Sequence, residues 1–342
     1  MPIVNPEKIA NYIREVADDK IVPRFRQLQD HEISTKSGPT DLVTIADIEA
    51  EEDLTHIFKD LIPGSQVVGE EAVSKGDIDM GLLKSEEGVI WVIDPVDGTN
   101  NFASGNERFG TIVTLVKGGQ SIQGWILDIP QDRIGITEQG SGVEVNGIKA
   151  TFPKMSEPLN DTRGFISRKF LPKKLRDDLK DVLDSEFGNI ETYLCCAHEY
   201  LDILAGESYF SLYSRIRPWD HLTGAMMMSE AGGYVCKWDK SAYGPGDEVR
   251  HIDWKLWGKT DRFFVKRYEE ETNLKAHIMI DQSASMGYSS HTMNKLEYAK
   301  ILAASFSYLL IKNQDAVGLY MFDSKIKKSI SPRSTKGHLN LL

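Results

Sequence analysis

A continuous apolar run, Val89-Ile90-Trp91-Val92-Ile93, leads without interruption into Asp94-Pro95-Val96-Asp97-Gly98-Thr99. Such a run predicts a strand buried on both faces, which obliges the chain to build layers above and below it. It delivers Asp94 at its C-terminal end, where open α/β sheets hold their ligands. Pro95 has no N–H with which to continue a ladder, so the chain is expected to turn there and bring Asp97 back toward Asp94. Gly98 permits close backbone approach, and the amides of Gly98 and Thr99 are placed to open a helix or a nest for an anion. Two carboxylates beside an anion site suit Mg²⁺ with phosphate, because this ion takes oxygen ligands and shares its shell with phosphate and water. The plainer alternative is a turn carrying two solvated aspartates.

The layers are legible on either side. Asn5-Pro6-Glu7 has the pattern of an N-cap, an N1 proline and an early acid, and Ile9, Tyr12, Ile13 and Val16 follow at helical spacing. A helix is therefore expected from residue 6 into the twenties. Leu54, Ile57, Phe58 and Leu61 mark the inner face of a second helix, ended by Pro63-Gly64. Strands are expected at 66–68, 110–116, 122–127 and 143–148, the last holding the turn pair Asn146-Gly147, and helices at 171–183 and 222–230. No window reaches 18 uninterrupted apolar residues; the best, 299–311, contains Lys300 and reads as a buried or amphipathic helix. The N-terminus lacks the apolar core of a signal peptide. Cys195, Cys196 and Cys236 are too few for a disulfide framework and point to a reducing compartment. A soluble cytoplasmic protein with no membrane partner is expected.

At 342 residues the chain has room for about two domains. Its net charge of −11 conceals a switch: residues 1–239 carry 24 Lys+Arg against 40 Asp+Glu, whereas 240–342 carry 16 against 11. The acidic part is a poor nucleic-acid binder, which needs a basic face. Its carboxylate excess suits divalent cations or simply a solvated acidic surface.

Further acids stand at element ends: Gly69-Glu70-Glu71 after 66–68, and Pro218-Trp219-Asp220 ahead of a helix ending in Glu230-Ala-Gly-Gly233. GEE, DPVDGTNNF, PWD and EAGG in this order, with Lys36, Asp41, Thr44 and Asp47 upstream, resemble the inositol monophosphatase family over roughly residues 1–239. The resemblance implies a layered α-β-α-β-α sandwich, commonly dimeric, that hydrolyses small phosphate monoesters with Mg²⁺ and is often inhibited by Li⁺. It further implies that Glu70, Asp94 and the Val96 carbonyl bind one metal, that Asp94, Asp97 and Asp220 bind a second, and that Glu70 helps place a third. Asp47 with Thr99 would orient the attacking water, and the Gly98 and Thr99 amides would hold the phosphate. Inositol-specific members carry a glutamate seven residues before the PWD aspartate; here Tyr213 stands there, which leaves sugar phosphates and other monoesters open. Lys36 is either a loop charge or a residue with a role near the metals, and His198 and His221 read as surface or core histidines. Arg215 and Arg217 are either surface charges or contacts for a second anion.

From Tyr243-Gly-Pro-Gly-Asp247 through Trp254 the text resembles bacterial MoxR-associated proteins with a von Willebrand factor A-type domain. The apolar strand 276–280 ends at Asp281-Gln-Ser283-Ala-Ser285, whose carboxylate and two hydroxyls can hold a hard cation. Asp323 matches neither of the later ligands of such a site. The expected organisation is a phosphatase-like domain, 1–239, joined to a partial α/β segment of von Willebrand factor A type, 240–342, as a hybrid chain. The rival expectation is a non-enzymatic protein that binds a partner through Asp281, Ser283 and Ser285 with metal.

Overall fold

Asn5 Oδ1 accepts hydrogen bonds from the amides of Glu7 and Lys8, and so opens helix α1 (Pro6–Val16), which buries Ile9, Ala10, Ile13 and Val16. A π-helical turn and a 3₁₀ turn carry the helical run on to Arg24, as expected. A short antiparallel pair, β1 (Ile33–Thr35) and β2 (Leu42–Thr44), precedes α2 (Ile45–Leu61), which buries Leu54 and Phe58 on its inner face. The sequence then runs through β3 (Gln66–Gly69), α3 (Glu70–Lys75), β4 (Val89–Asp97) and α4 (Thr99–Ala103). A meander follows: β5 (Gly110–Lys117), β6 (Gln120–Asp128), β7 (Arg133–Glu138), β8 (Gly142–Val145) and β9 (Ile148–Ala150). The stretch expected as one strand at 143–148 is thus the β8–β9 hairpin, turning at Asn146-Gly147.

This chain is seen in a computed structural model, which describes residues 3–36, 38, 41–85, 87–154, 162–168, 171, 173, 176–177, 187–237, 240–247, 275–289, 293–312 and 315–333. It divides into two compact units, 1–265 and 266–342. In the first, β3 to β9 form one seven-stranded sheet in sequence order, β3 parallel to β4 and the rest antiparallel. β4 is buried from Ile90 to Asp97. Its odd side chains, Trp91 and Ile93, pack under α1 and α2, and its even ones, Ile90 and Val92, pack on the opposite side.

The opposite side is covered by α5 (Cys196–Leu204) and α6 (Pro218–Glu230). Beyond α5 lies a parallel three-stranded sheet of order β11-β10-β12, made of β10 (Arg163–Ser167), β11 (Asn189–Glu191) and β12 (Phe210–Tyr213). Phe165 of β10 and Ile112 and Ile126 of the large sheet share one core with α5. The result is the expected mixed α/β layering, helix on sheet on helix on sheet. The outer helix expected at 171–183 falls largely outside the described residues. Met226, Met227 and Met228 are core. Tyr243 packs with Trp219 and Leu222, and Lys237 pairs with Asp247 at 2.6 Å, so residues 243–247 are part of this unit's packing.

The second unit has β13 (Lys275–Asp281), α7 (Lys295–Lys312), β14 (Ala316–Phe322) and β15 (Ile326–Arg333), with β14 between parallel β13 and antiparallel β15. Helix α7 buries Ser307 and Ile311 and leaves Tyr298, Ile301, Leu302, Phe306 and Leu309 exposed along one stripe. Of the resemblance that runs from Tyr243 through Trp254, residues 248–254 lie outside the described residues. Among the described residues no helix is long and apolar enough to cross a membrane.

Candidate active site

The strand end of β4 is shaped by a fault in its ladder. Asp94 pairs with Ile112 and Asp97 with Gly110, so three steps on β4 match two on β5. In an unbroken strand residues three apart face opposite ways, and one extra residue restores them to the same side. The chain therefore does not turn at Pro95 as expected; it continues as a strand to Asp97, and the proline's missing N–H falls in the unpaired stretch. Gly98 then takes φ +85°, and a Cβ there would lie 2.7 Å from the Arg108 carbonyl and 3.2 Å from Cys195 Cβ. No residue with a side chain fits this turn without displacing main chain. Helix α4 opens immediately after it, with Thr99 as its first residue.

Three other elements bring acids to this end. At the start of α2, Asp47 Oδ2 accepts from the Thr44 amide at 2.8 Å and the Thr44 hydroxyl at 2.6 Å, the N-cap geometry that fixes the carboxylate. Its Oδ1 lies 3.0 Å from Thr99 Oγ1, which also lies 2.9 Å from the Val96 carbonyl. Glu70 begins α3, whose first amides, Glu71 and Ala72, are held by the buried Glu51 carboxylate at 2.8 Å each. Glu70 Oε1 accepts from Lys36 Nζ at 3.0 Å and Arg217 Nη1 at 3.1 Å. Lys36, expected as either a loop charge or a residue near the metals, has its side chain buried here and also pairs with Glu71. Asp220 lies within the first turn of α6, not ahead of the helix as expected, because the helix starts at Pro218.

Glu70, Asp94 and Asp220 each offer an oxygen within 4.8 Å of the others. Asp97 lines the same cleft of about 180 Å³, with Oδ2 accepting from the Ala197 amide at 2.6 Å and from the Cys195 thiol at 3.2 Å. Burial and the neighbouring carboxylates, Glu70 foremost, hold Asp94 and Asp220 well above the ordinary carboxylate range. Burial raises Asp97 and Asp47 to about 6, against the hydrogen bonds from Ala197 and Thr44 respectively. Asp94 Oδ1 is buried with no hydrogen-bond partner. A buried carboxylate oxygen is expensive unless a donor or a cation meets it. This donor set, all oxygen and mostly carboxylate, fits a hard divalent cation.

The model of the inositol monophosphatase family matches residues 7–278. The chain belongs to this family. It is 30% identical over 203 residues to the inositol-1-monophosphatase of Bacillus subtilis (strain 168), covering 59% of this chain and 74% of that protein. The Thermotoga maritima IMPase structure superposes with a TM-score of 0.61 at 22% identity, covering 71% of this chain and 89% of that one. A structure described as an IMPase/NADP phosphatase complexed with Mg²⁺ and phosphate gives 0.60 at 18% identity, covering 70% and 85%. Residues 239–342 match a second model, a protein of unknown function, DUF58, so the two resemblances follow one another along the chain as expected. As an inositol monophosphatase family member the chain is a phosphatase-type hydrolase.

Sequence reasoning missed Glu199, the polar partner of the family's departure at Tyr213. Tyr213 donates to Glu199 Oε2 at 2.7 Å, while Oε1 accepts from the Tyr193 amide at 2.7 Å and the Thr192 hydroxyl at 2.9 Å. The signal was an acid set among Ala197, Tyr200, Leu201 and Ile203 of the helix CAHEYLDIL. Burial pushes Glu199 to about 7, against these three hydrogen bonds. Since the folded protein keeps this proton between about 4.5 and 7 and the unfolded chain does not, stability should fall by about 3 kcal/mol as pH rises through that window, then level off. Urea unfolding at pH 5 and pH 8 checks this: Glu199→Gln should lose that part of the pH dependence.

The two histidines are structural. His198 Nε2 lies 3.1 Å from Asp128, which Arg133 also pairs at 2.8 Å, and His221 Nδ1 meets the Tyr200 hydroxyl at 3.1 Å. In the second unit, Asp281 accepts from the Ser283 amide at 2.7 Å and hydroxyl at 3.0 Å, and Ser283 Oγ lies 3.0 Å from Ser285 Oγ. Asp323 is engaged by Lys325 and Lys327.

Proposed function

We propose that this chain hydrolyses small phosphate monoesters with Mg²⁺ at the end of β4. The observation that carries the reading is the buried, partnerless Asp94 oxygen inside a carboxylate group spanning no more than 4.8 Å. Glu70, Asp94 and the Val96 carbonyl would hold one ion, and Asp94, Asp97 and Asp220 a second, with Glu70 shared by a third. Mg²⁺ bound there supplies a lowered pKa for water and charge neutralisation on phosphoryl and leaving oxygens. Thr99 Oγ1, donating to Asp47 Oδ1, accepts a hydrogen bond from the attacking water and sets its line of approach. Asp47, near pKa 6, takes up the proton that the water releases. The Gly98 and Thr99 amides bind the phosphate, and no cysteine or serine nucleophile is needed.

The phosphatase domain in this reading is 1–239 with residues 243–247 packed onto it, acting in the cytoplasm as a homodimer and inhibited by Li⁺; the C-terminal part is a partial von Willebrand factor A-type segment. Phosphate release from a monoester panel, with Mg²⁺ and then with EDTA, tests it. Metal-dependent release from no substrate at all would overturn it. A second reading, metal-dependent partner binding without catalysis, has one observation in its favour: the convergence of Asp281, Ser283 and Ser285 at the end of β13. Partner binding that survives Asp94→Ala and is lost in Asp281→Ala would support that reading instead.

A further inference from the structure

The cleft that holds the carboxylates is also lined by Tyr213 at the end of β12 and by Arg215 and Arg217 on the connection from β12 to α6. This connection is fixed at nearly every residue. Tyr213 is tied to Glu199, Ser214 Oγ donates to the Ser167 carbonyl at 3.1 Å, and Arg217 is held between Glu70 and the Trp219 ring, 5.4 Å from its centroid. His221, 3% exposed, hydrogen-bonds the main chain of Arg215, and its Nδ1 meets the Tyr200 hydroxyl. Arg215 itself lines the cleft and is exposed.

We propose that Arg215, backed by Arg217, recognises a second negative charge on the substrate, so that the preferred substrates are phosphate monoesters of alcohols that are themselves anionic. This inference rests on the phosphatase reading and narrows its substrate class. A guanidinium donates in five directions and accepts in none, so a neutral polyol, whose hydroxyls must also donate, leaves it poorly matched. A carboxylate or a second phosphate matches it with charge-assisted, two-pronged hydrogen bonds. Partial burial and then the like charge of Arg217 depress the Arg215 pKa, although Asp41, Asp220 and Glu70 act the other way; an arriving anion relieves that repulsion. Tyr213 contributes by taking the place of a carboxylate that would repel such a substrate.

Three esters of one carbon skeleton test this: glycerol 2-phosphate, 2-phosphoglycerate and glycerol 1,2-bisphosphate, each with Mg²⁺ and the full chain. The wild type should favour the anionic esters by about tenfold in kcat/KM, the worth of one charged hydrogen bond. Arg215→Gln should collapse that ratio, mainly by raising KM for the anionic esters, and Arg215→Lys should restore part of it. Preference for 2-phosphoglycerate alone or for the bisphosphate alone identifies carboxylate or phosphate as the second anion. A wild type that turns over all three equally, or an Arg215→Gln variant that keeps the wild-type ratio, overturns the inference while leaving the phosphatase reading intact. Turnover of none of these and of no other monoester strikes at that reading instead.

Discussion

Asp94→Asn should lower metal-dependent phosphate release by at least roughly 10³-fold, because one substitution removes a ligand shared by two proposed cation positions. The same variant should not lose stability in EDTA. Asp94 is buried among Glu70, Asp97 and Asp220, and its pKa is driven up first by that burial and then by those carboxylates, so the metal-free wild type holds an unfavourable group which a neutral amide relieves. Thermal unfolding separates the two effects. The wild type should gain melting temperature as Mg²⁺ is added, since a ligand bound only by the folded state stabilises it by mass action. Asp94→Asn should start at or above the metal-free wild type and respond little to Mg²⁺. A variant that melts well below the wild type in EDTA would show that Asp94 is a structural residue and that its lost activity says nothing about metal.

Phe58→Ala should cost about 4 kcal/mol of stability, the range for emptying a fully buried aromatic site. Phe58 is 0% exposed and stacks on Trp91 with ring centroids 4.2 Å apart and planes 14° from parallel. Trp91 in turn lies 6.0 Å from Trp125, so the cavity opens at the centre of the α1/α2 face of the large sheet. Tryptophan fluorescence against urea reads the loss. Phe58→Leu should recover more than half of it, because a smaller void remains. Equal losses for the two would mean that ring stacking, and not volume, dominates this contact.

How far the sequence could be read depended on whether the relevant contact was local. β4 and its acids were legible because a strand end and its ligands are consecutive in the chain. The bulge that replaces the expected turn at Pro95 was not, since a register shift in the ladder is a property of β4 and β5 together. Lys36 meets Glu70 across 34 residues and Thr99 meets Asp47 across 52, and no periodicity announces such pairs. The strand β7 hid behind Gly135, a residue that weakens a strand signal but is needed here: a Cβ there would lie 2.9 Å from Leu201 and 3.0 Å from Met227. Asp220 was recognisable by its motif, but the helix, expected from 222, starts at Pro218, because that proline at N1 was not used as the boundary signal. In the second unit the apolar run at 299–311 was correctly helical, while its exposed stripe depends on which neighbours are present.

The ladder fault between Asp94 and Asp97 also decides what kinds of genetic change the site can survive. Around Asn146-Gly147 a lost or gained residue would only reshape a hairpin end. Between Asp94 and Asp97 the same event would reverse the parity of the strand and send one carboxylate into the opposite core, whatever amino acid was involved. The segment behaves as a ruler of fixed length: its chemistry can be tuned by exchanging side chains, but not by changing how many there are.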